Sequence, residues 1–472
     1  MKRSRSDQDL SFFPSRFLEE LFGTFEKRKV NYCVLRNYKD LPEKIGHDVD
    51  MLVARAHFAK AQMCVREVAR KMGFLVVRHP RRYGYSGFDL TYFGSNYEHC
   101  DLHLDIWWML ARHGVVWLTD RYVLSRCLRY RNFYVPRQGV AAAVMLLKCS
   151  LFGGAIRDKY KANIQKACRD DSEEFVTAIA CSLGRSTAKW LHDRAIHADW
   201  SSIDRAKLRL RQGFLLRAFT ITPMVQLFRF AKHACWFVDH YFVNPTGCFV
   251  VFIGPDGSGK TSVAEGVQRD LEKIFTERAY YHGRFKVLPR LRVFKRFALR
   301  VAGKKDTKVE QKGVRANIVV YSPIRGSGYL AYYIWDYLFG HLLVWWARAR
   351  GTIIVADRYY YDYAILGEWA RLPRWLYRLL ERLVPIPDVT VFLQSAPEEV
   401  WQRKRELPIE HIARQQQACR EIARRVPGGC IVSGEQEMER EVREVAAAII
   451  RRMAKRVSWP MVPVLGGERQ GR

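Results

Sequence analysis

The stretch Cys248-Phe-Val-Val-Phe-Ile-Gly-Pro-Asp-Gly-Ser-Gly-Lys-Thr261 carries the strongest structural signal in this chain. Its apolar start predicts a buried strand over 248–253, and the glycine-rich turn that follows has the spacing of a phosphate-binding loop. Beyond the turn, Val263, Val267 and Leu271 recur at helical spacing, as expected for a helix that packs on a sheet. Strand, turn and helix together predict a site for the phosphates of a nucleoside triphosphate.

The residue types of the turn explain that prediction. Glycines let the backbone turn tightly and aim successive N–H groups at phosphate oxygens. Lys260 should reach the β and γ phosphates, and the Thr261 hydroxyl should ligate Mg²⁺. The predicted ATP-binding residues are Gly254, Asp256, Gly257, Ser258, Gly259, Lys260 and Thr261. Mg²⁺ and ATP, as phosphoryl donor, are the expected cofactors.

Length and composition bound the rest of the chain. Its 472 residues, 49% of them hydrophobic, predict about two or three packed domains without extensive disorder. The eleven cysteines include no Cys-x-x-Cys pair, and no apolar run follows the charged start at 1–10, so we expect a reduced cytoplasmic protein. Residues 330–347 are the most membrane-like stretch, but Asp336 and His341 interrupt it, which predicts a buried helix instead.

The formal net charge of +31 indicates anionic partners. It fits phosphorylated substrates, an anionic membrane face to which the protein would bind peripherally, or, less well, nucleic acid; arginines spread over solvated surfaces explain it too. Between 281 and 315, twelve Lys or Arg stand against Asp306 and Glu310. We interpret that interval as a solvated insertion beside a polyphosphate site, with a nucleic-acid groove or a membrane-facing segment as the alternatives.

Turn residues and changes of pattern divide the chain. The predicted units are an α+β domain over 14–200, a basic helical connector over 201–245, an α/β domain over 246–456 and a loose tail over 457–472. In the α/β domain, strands at 248–253, 352–356 and 389–393 alternate with helices, including those near 328–349 and 371–383. That order predicts a parallel sheet between two layers of helices. The oligomeric state is open, with a homodimer among the options.

Two further segments specify the phosphate chemistry. An apolar strand ends in Asp357, which can hold Mg²⁺ through water, and Arg358, which can grip a phosphate with two hydrogen bonds. Clustered cations at 403–405 can close over the transferred phosphoryl group. The predicted catalytic residues are Lys260, Asp357, Arg358, Arg403 and Arg405, and the predicted Mg²⁺ ligands are Thr261 and Asp357.

These segments, in this order, resemble the thymidylate kinase family over residues 246–456. The resemblance includes Gly254-Pro-Asp-Gly-Ser-Gly-Lys-Thr261, Asp357-Arg-Tyr359 and the lid-like Arg403-Lys-Arg-Glu-Leu-Pro-Ile-Glu-His-Ile-Ala-Arg-Gln415. It implies a P-loop nucleoside-monophosphate kinase fold and transfer of a phosphoryl group from ATP. It also implies that Asp256 approaches the acceptor sugar, that Arg358 binds the acceptor phosphate and that lid arginines assist the transfer.

The chain departs from that family in two places. Leu393-Gln-Ser-Ala-Pro397 lacks the acid that the family usually has after this strand, and the basic 281–315 interval replaces the segment after the first helix. Both departures bear on the acceptor. The acceptor therefore stays open between a nucleotide, a sugar and a lipid-linked glycan.

The amino-terminal unit carries a second acidic pattern. Asp48 and Asp50 stand two apart in a predicted strand, so both carboxylates project from one face. A third acid from a neighbouring strand would complete a site for two Mg²⁺ ions. Asp101, His103 and Asp105 share a face of a later strand, and we prefer Asp105 because the residues after it continue into the next helical segment.

This stretch resembles the Gly-Ser and Asp-x-Asp pattern of the nucleotidyltransferase superfamily, with Gly46-His47 in place of Gly-Ser. Two other interpretations stay open: strand acids that face solvent without a metal, or a silent fold that recognises the kinase's acceptor. Three functions follow for the whole chain. The leading one is a phosphotransferase in the carboxyl-terminal half; the others are nucleotidyl transfer in the amino-terminal half with a regulatory kinase domain, and a non-enzymatic basic protein that docks on membrane or nucleic acid.

Overall fold

The computed structural model describes most of the chain. The described residues are 10, 12–46, 48–112, 114–153, 156, 158–275, 277–283, 285–288, 323–365, 374–405, 407–434 and 436–458. His47, most of the basic interval at 281–315 and nearly all of the predicted tail lie outside them. The chain divides into two compact units, residues 1–94 with 99–240 and residues 95–98 with 241–472.

A mixed sheet forms the base of the first unit. Its strands are Tyr32–Val34 (β1), Val49–Val53 (β2), Leu75–Arg78 (β3), Arg81–Arg82 (β4), Tyr85–Phe93 (β5) and His99–Trp107 (β6). They lie in the order β1-β2-β6-β5-β3, with β4 beside β5; β2 and β6 are parallel and the other neighbours antiparallel. Two hairpins join Met109–Arg112 (β7) to Val115–Thr119 (β8), and Cys127–Tyr130 (β9) to Phe133–Pro136 (β10).

Helices complete the first unit. They are Phe12–Lys27 (α1), Phe58–Met72 (α2), Asp120–Leu124 (α3), Gln138–Phe152 (α4), Asp158–Asp170 (α5), Ser172–Leu183 (α6), Arg185–Ile196 (α7), Trp200–Ile221 (α8) and Pro223–Val238 (α9). The apolar faces of α1 and α2 pack on the sheet. A second core gathers around α4, and α8 adds Ile203, Leu210 and Phe214 to it. Residues 201–221 of the predicted connector therefore contribute to this core.

The second unit contains the expected parallel sheet. Its strands are Cys248–Ile253 (β11), Glu277–His282 (β12), Thr352–Asp357 (β13), Val389–Gln394 (β14) and Gly429–Ser433 (β15), in the order β12-β13-β11-β14-β15. All neighbours are parallel. The bounds of β11 are those predicted, and β13 and β14 are one residue longer. The edge strands β12 and β15 have no counterpart in the sequence prediction.

Helices lie on both faces of that sheet. They are Lys260–Asp270 (α10), Pro323–Ala349 (α11), Tyr361–Ile365 (α12), Arg374–Leu380 (α13), Pro397–Arg403 (α14), Ile409–Arg425 (α15) and Met438–Ser458 (α16). On β11, Phe249 and Val251 pack in a core with side chains of α11 and α15. Val250 and Phe252 point to the opposite face and are fully buried as well. The second unit is thus an α/β fold whose central strand is covered on both sides.

Helix α11 departs from the prediction of a buried helix. Leu330 is buried, but Trp335 on another side of the helix is 58% exposed. Asp336 is fully buried, and hydrogen bonds that its carboxylate accepts from the backbone N–H groups of Lys286 and Leu288, at 3.1 and 2.8 Å, offset the cost of that burial. Within the described part of the chain, no helix has both the length and the apolarity needed to cross a membrane.

Candidate phosphate-binding site

The glycine-rich turn lies where the strand order of the second sheet reverses. Strand β11 lies between β13 on one side and β14 on the other, and Phe252 is level with Asp357 of β13. In open parallel sheets such a reversal leaves a crevice at the carboxyl ends of the strands, and ligands bind there. The fold therefore opens this crevice at residues 254–261. We call these residues, together with Asp357 and Arg358, the loop site.

Glycines shape the backbone of the loop site. Gly257 and Gly259 have φ values of 91° and 84°, which a side chain would strain. A Cβ on Gly257 would also lie 3.1 Å from the Cβ of Lys404. Helix α10 begins at Lys260, so its unpaired N–H groups and the positive end of its dipole face the turn.

Lys260 is folded into the turn. Its side chain is buried, and its ammonium group donates hydrogen bonds to the carbonyl oxygens of Gly254 and Pro255, at 3.0 and 2.6 Å. Burial lowers the pKa of Lys260, while the carboxylates of Asp357 and Asp256 oppose that effect. An ammonium group with little water around it interacts strongly with an incoming anion. Lys260 is therefore suited to bind phosphate.

Asp357 is the centre of the polar contacts in the loop site. It is 2% exposed, and its Oδ2 accepts hydrogen bonds from the hydroxyls of Thr261 and Tyr280, at 2.9 and 3.0 Å. Nδ1 of His282 lies 3.6 Å from the same oxygen. The buried Oδ1 has no hydrogen-bond partner among the residues that the structure describes. A carboxylate beside a hydroxyl is a donor set that Mg²⁺ binds, and an unsatisfied oxygen fits such a ligand.

Arg358 follows in an unusual backbone conformation. Its φ of 64° lies in the left-handed region, which residues other than glycine rarely adopt. Its guanidinium forms an ion pair with Asp256 across the loop site. Burial would raise the pKa of Asp256, but the charge of Arg358 and its hydrogen bond lower it overall. The two residues that the family resemblance would place at the acceptor thus contact each other directly.

Of the predicted lid cations, Lys404 lies beside the loop site. Its Nζ is 3.7 Å from an Asp256 carboxylate oxygen. The side chain of Arg403 donates instead to Glu399, one turn back in α14, at 3.4 Å. The guanidinium of Arg405 lies 5.1 Å from the ring centre of Trp401. The structure therefore does not bring Arg403 and Arg405 to the loop site.

Sequence reasoning missed Tyr280, His282 and Asp362. Tyr280 and His282 stand two apart on β12, and His282 is level with Asp357 of β13. Their spacing is a strand signal, but β12 lacks the apolar run that would have revealed it. Burial raises the pKa of Asp362 to about 7, although Arg358 and Lys260 oppose the shift. Nothing in the sequence around Asp362 indicates that burial.

The three predicted acids of the first unit come together. Asp48 directly precedes β2, Asp50 lies on it, and Asp105 on β6 is level with Asp50. Ligand oxygens of the three carboxylates all lie within 4.8 Å of one another. Asp101 instead accepts a hydrogen bond from the Thr91 hydroxyl at 2.6 Å. We call Asp48, Asp50 and Asp105 the carboxylate trio; its oxygens are of the type that divalent cations bind.

Neighbouring side chains already neutralise or hydrogen-bond the carboxylates of the trio. Arg36 forms an ion pair with Asp50, and its Nη2 lies 2.9 Å from Asp48. Burial raises the pKa of Asp50, although Arg36 opposes the shift. The Tyr85 hydroxyl donates to Asp105 at 2.6 Å. A divalent ion between the three carboxylates would therefore have to displace Arg36.

His103 adds a second cation next to the trio. Its Nδ1 contacts Asp89, and its Nε2 lies 3.3 Å from Asp105. Burial would lower the pKa of His103, but the two carboxylates outweigh it and raise the pKa to about 10. Burial would likewise raise the pKa of Asp105, but the contact with His103 lowers it. His103 is therefore protonated at neutral pH and lies between the carboxylates of Asp89 and Asp105.

Comparisons with known proteins add little to this geometry. No protein-family model and no curated protein sequence matches the chain. Among solved structures, it is similar to thymidylate kinase from Ehrlichia chaffeensis, with 17% identity and a TM-score of 0.29. That similarity covers 43% of this chain and 98% of that chain. A similarity with so low an identity and TM-score supports no conclusion about function, so any function has to follow from the residues described above.

Proposed function

We propose that the second unit is a Mg²⁺- and ATP-dependent phosphotransferase. The observation that carries the proposal is the gathering of Lys260, Thr261 and Asp357 at the carboxyl ends of β11 and β13, with 2.9 Å between the Thr261 hydroxyl and the Asp357 carboxylate. Phosphoryl transfer requires positioning and charge neutralisation more than covalent chemistry. A glycine-rich turn, a buried lysine and a hydroxyl–carboxylate pair supply both.

In this proposal, three residues of the loop site bind the phosphoryl donor and its metal ion. Thr261 and Asp357 hold Mg²⁺, which neutralises phosphate charge when it is bound. Lys260 exchanges its hydrogen bonds to the carbonyl groups of Gly254 and Pro255 for bonds to phosphate oxygens. The burial of Lys260 and Asp357 limits competition from water and so strengthens these electrostatic interactions.

The proposed acceptor binds between Arg358 and Asp256. Because these side chains already form an ion pair, an acceptor that separates them has to satisfy both the guanidinium and the carboxylate. A molecule with a phosphate and a nearby hydroxyl does so, since the phosphate accepts from Arg358 and the hydroxyl donates to Asp256. A nucleoside monophosphate, as the thymidylate kinase resemblance implies, or a phosphorylated sugar meets that requirement.

Formation of ADP tests this proposal. The full-length protein is incubated with ATP, Mg²⁺ and a panel of nucleoside monophosphates and phosphosugars. We expect ADP with at least one acceptor, dependent on Mg²⁺ and lost in Lys260→Ala. Lys273→Ala, which removes an exposed lysine of the same unit, is the matched control and should keep the activity. ADP formation that is equal in Lys260→Ala and in the unaltered protein would contradict the proposal.

Nucleotidyl transfer in the first unit is a second candidate. The observation that favours it is the cluster of Asp48, Asp50 and Asp105, with ligand oxygens within 4.8 Å of one another. In this proposal the trio holds Mg²⁺ after Arg36 has moved away, and the ions neutralise the triphosphate. Pyrophosphate release that Asp50→Asn abolishes and Lys260→Ala leaves intact would support it. Release that persists in Asp50→Asn would exclude it.

A further inference from the structure

Helix α9 turns its polar side to the protein and its apolar side outward. The residues that face the first unit recur at helical spacing and are Thr222, Gln226, Arg229, His233 and Trp236. The outward residues include Met224, Leu227, Phe228, Phe230 and Val238, which are 75%, 56%, 55%, 59% and 54% exposed. Helices on the surface of soluble proteins bury their apolar stripe. Helix α9 has the reverse orientation.

Specific contacts hold α9 in that orientation. Gln226 is buried on the inward side, where its Nε2 donates within the same helix to the hydroxyl of Thr222 at 3.2 Å. The guanidinium of Arg82 lies 5.5 Å from the ring centre of Trp236. Arg229 is partly buried, and that burial lowers its pKa. The polar stripe is therefore engaged with the first unit, and the apolar side is held outward.

The preceding helix α8 also exposes apolar side chains and carries positive charge. Toward its end, Leu216 and Ile221 are 69% and 62% exposed. Its exposed side also carries Arg209, Arg211 and Arg217. Between 200 and 238, seven Lys or Arg stand against a single acidic residue, Asp204. We call the exposed side chains of α8 and α9 from Leu208 to Val238 the outer surface.

We propose that the outer surface docks on a lipid bilayer with anionic headgroups. Apolar side chains that are held away from the protein leave water when they enter the boundary between headgroups and acyl chains. The exposed arginines of α8 pair with headgroup phosphates. Neither helix has the length and apolarity to cross a membrane, as holds for all helices in the described residues, so both helices lie along the surface.

Charge and side-chain type favour lipid over other partners. A second copy of the chain would bring the same arginines into opposition, which like charges disfavour. Nucleic acid needs cations beside stacking rings, whereas eight of the twelve large exposed apolar side chains from Leu208 to Val238 are Leu, Ile, Val or Met. The cations of α9, Arg229 and Lys232, are partly buried. An anionic bilayer matches both the apolar and the basic parts.

Sedimentation with lipid vesicles tests the proposal. Full-length protein is mixed with vesicles of phosphatidylcholine alone, or of phosphatidylcholine and phosphatidylglycerol in equal parts. We expect binding to the mixed vesicles that falls about tenfold or more in the double variant Met224→Glu, Leu227→Glu, since both apolar contacts become charged. Met63→Glu is the matched control, because Met63 is 62% exposed on α2 of the same unit. It should bind as the unaltered protein does.

A fluorescent label reports the orientation without altering the apolar residues. Cys235 on α9 and Cys181 on α6 are both exposed. A polarity-sensitive dye on Cys235, in protein with Cys181→Ser, should shift to shorter wavelength when mixed vesicles are added. The same dye on Cys181, in protein with Cys235→Ser, should not shift. This measurement tests whether α9 contacts the bilayer even if the double glutamate variant fails to fold.

Charge removal tests the role of the arginines. Arg211→Gln and Arg217→Gln should each weaken binding to the mixed vesicles about fivefold. Two vesicle results would overturn the proposal: binding that the double glutamate variant leaves unchanged, or a dye on Cys235 that stays in water while the protein sediments with vesicles. Two results without lipid would overturn it as well: a dimer that the double glutamate variant dissociates, or oligonucleotide binding that this variant abolishes. None of these measurements depends on catalytic activity, so the proposal stands or falls separately from the phosphotransferase.

Discussion

The loop site and the carboxylate trio differ in what balances their charge. In the loop site, one buried oxygen of Asp357 lacks a hydrogen-bond partner among the described residues, and Lys260 is bonded to backbone carbonyl groups. In the trio, Arg36 pairs with both Asp48 and Asp50. A Mg²⁺ ion would complete the unpaired Asp357 oxygen in the first arrangement, whereas in the second it has to displace Arg36. Similar residue types therefore produce a site suited to phosphate and Mg²⁺ in one unit and a self-neutralised network in the other.

Removal of the Asp357 charge should have the largest effect. Asp357→Asn keeps the shape of the side chain but loses the negative charge for Mg²⁺, which is worth several kcal/mol, so turnover of ATP should fall about a thousandfold. Initial rates over a Mg²⁺ titration measure this. Glu421→Gln, which removes an exposed carboxylate of the same unit outside the lid-like segment, is the control. Full turnover of Asp357→Asn at saturating Mg²⁺ would show that the loop site does not depend on this carboxylate.

Removal of an arginine should lower the free energy of unfolding more in the trio than in the loop site. Arg36→Met leaves Asp50, which is 4% exposed, without its counter-charge and should lower the free energy of unfolding by about 3 kcal/mol. Arg358→Met breaks a pair whose side chains are 38% and 33% exposed, and should cost at most about 1 kcal/mol. Urea unfolding of the two variants measures both. Equal losses would remove the distinction between the sites.

Asp362, close to the loop site, should make the stability of the protein depend on pH. Its pKa is about 7, so the folded protein holds a proton that the unfolded chain releases near pH 4. The resulting stability is complete below pH of about 4 and falls as the pH rises toward 7. Asp362→Asn should therefore stabilise the protein by up to about 4 kcal/mol at pH 8 and leave it almost unchanged at pH 4. Thermal unfolding at both pH values tests this; equal shifts would contradict it.

His103 gives the trio a weaker dependence in a higher pH range. Its pKa of about 10 in the folded protein lies above the value of about 6.5 for an unfolded histidine. Its contribution is complete below pH 6.5, as given by that reference value, and is lost as the pH rises through about 10. Because the side chain is 37% exposed, solvent limits the effect to about 1 kcal/mol. His103→Gln should make the free energy of unfolding, measured by urea unfolding, less dependent on pH between these two values.

The central strands of the second unit follow from the sequence because they are buried on both faces. Such strands are continuous apolar runs, and β11 has the predicted bounds. Strand β12 lies at the sheet edge and reads Glu-Arg-Ala-Tyr-Tyr-His, so it has no such run. Tyr280 and His282, which depend on it for their position next to Asp357, were missed for the same reason.

The loop site follows from local sequence, whereas the contacts between distant residues do not. The spacing of Gly257, Gly259 and Lys260 encodes a turn and a helix start, since backbone conformation depends on neighbouring residues. The pairing of Arg358 with Asp256, and the approach of Lys404 in place of Arg403, depend on tertiary packing and side-chain rotamers. The orientation of α9 is of the same kind: the helical pattern of 223–238 is visible in the sequence, but its inward face is set by the first unit.

Arg36 has a practical consequence for handling the protein. A domain that depends on metal ligands for its charge balance loses structure when a chelator removes the ion. Here the positive charge between Asp48 and Asp50 is covalently part of the chain. Purification in EDTA should therefore leave the first unit folded, and its integrity in the cell should not vary with magnesium supply.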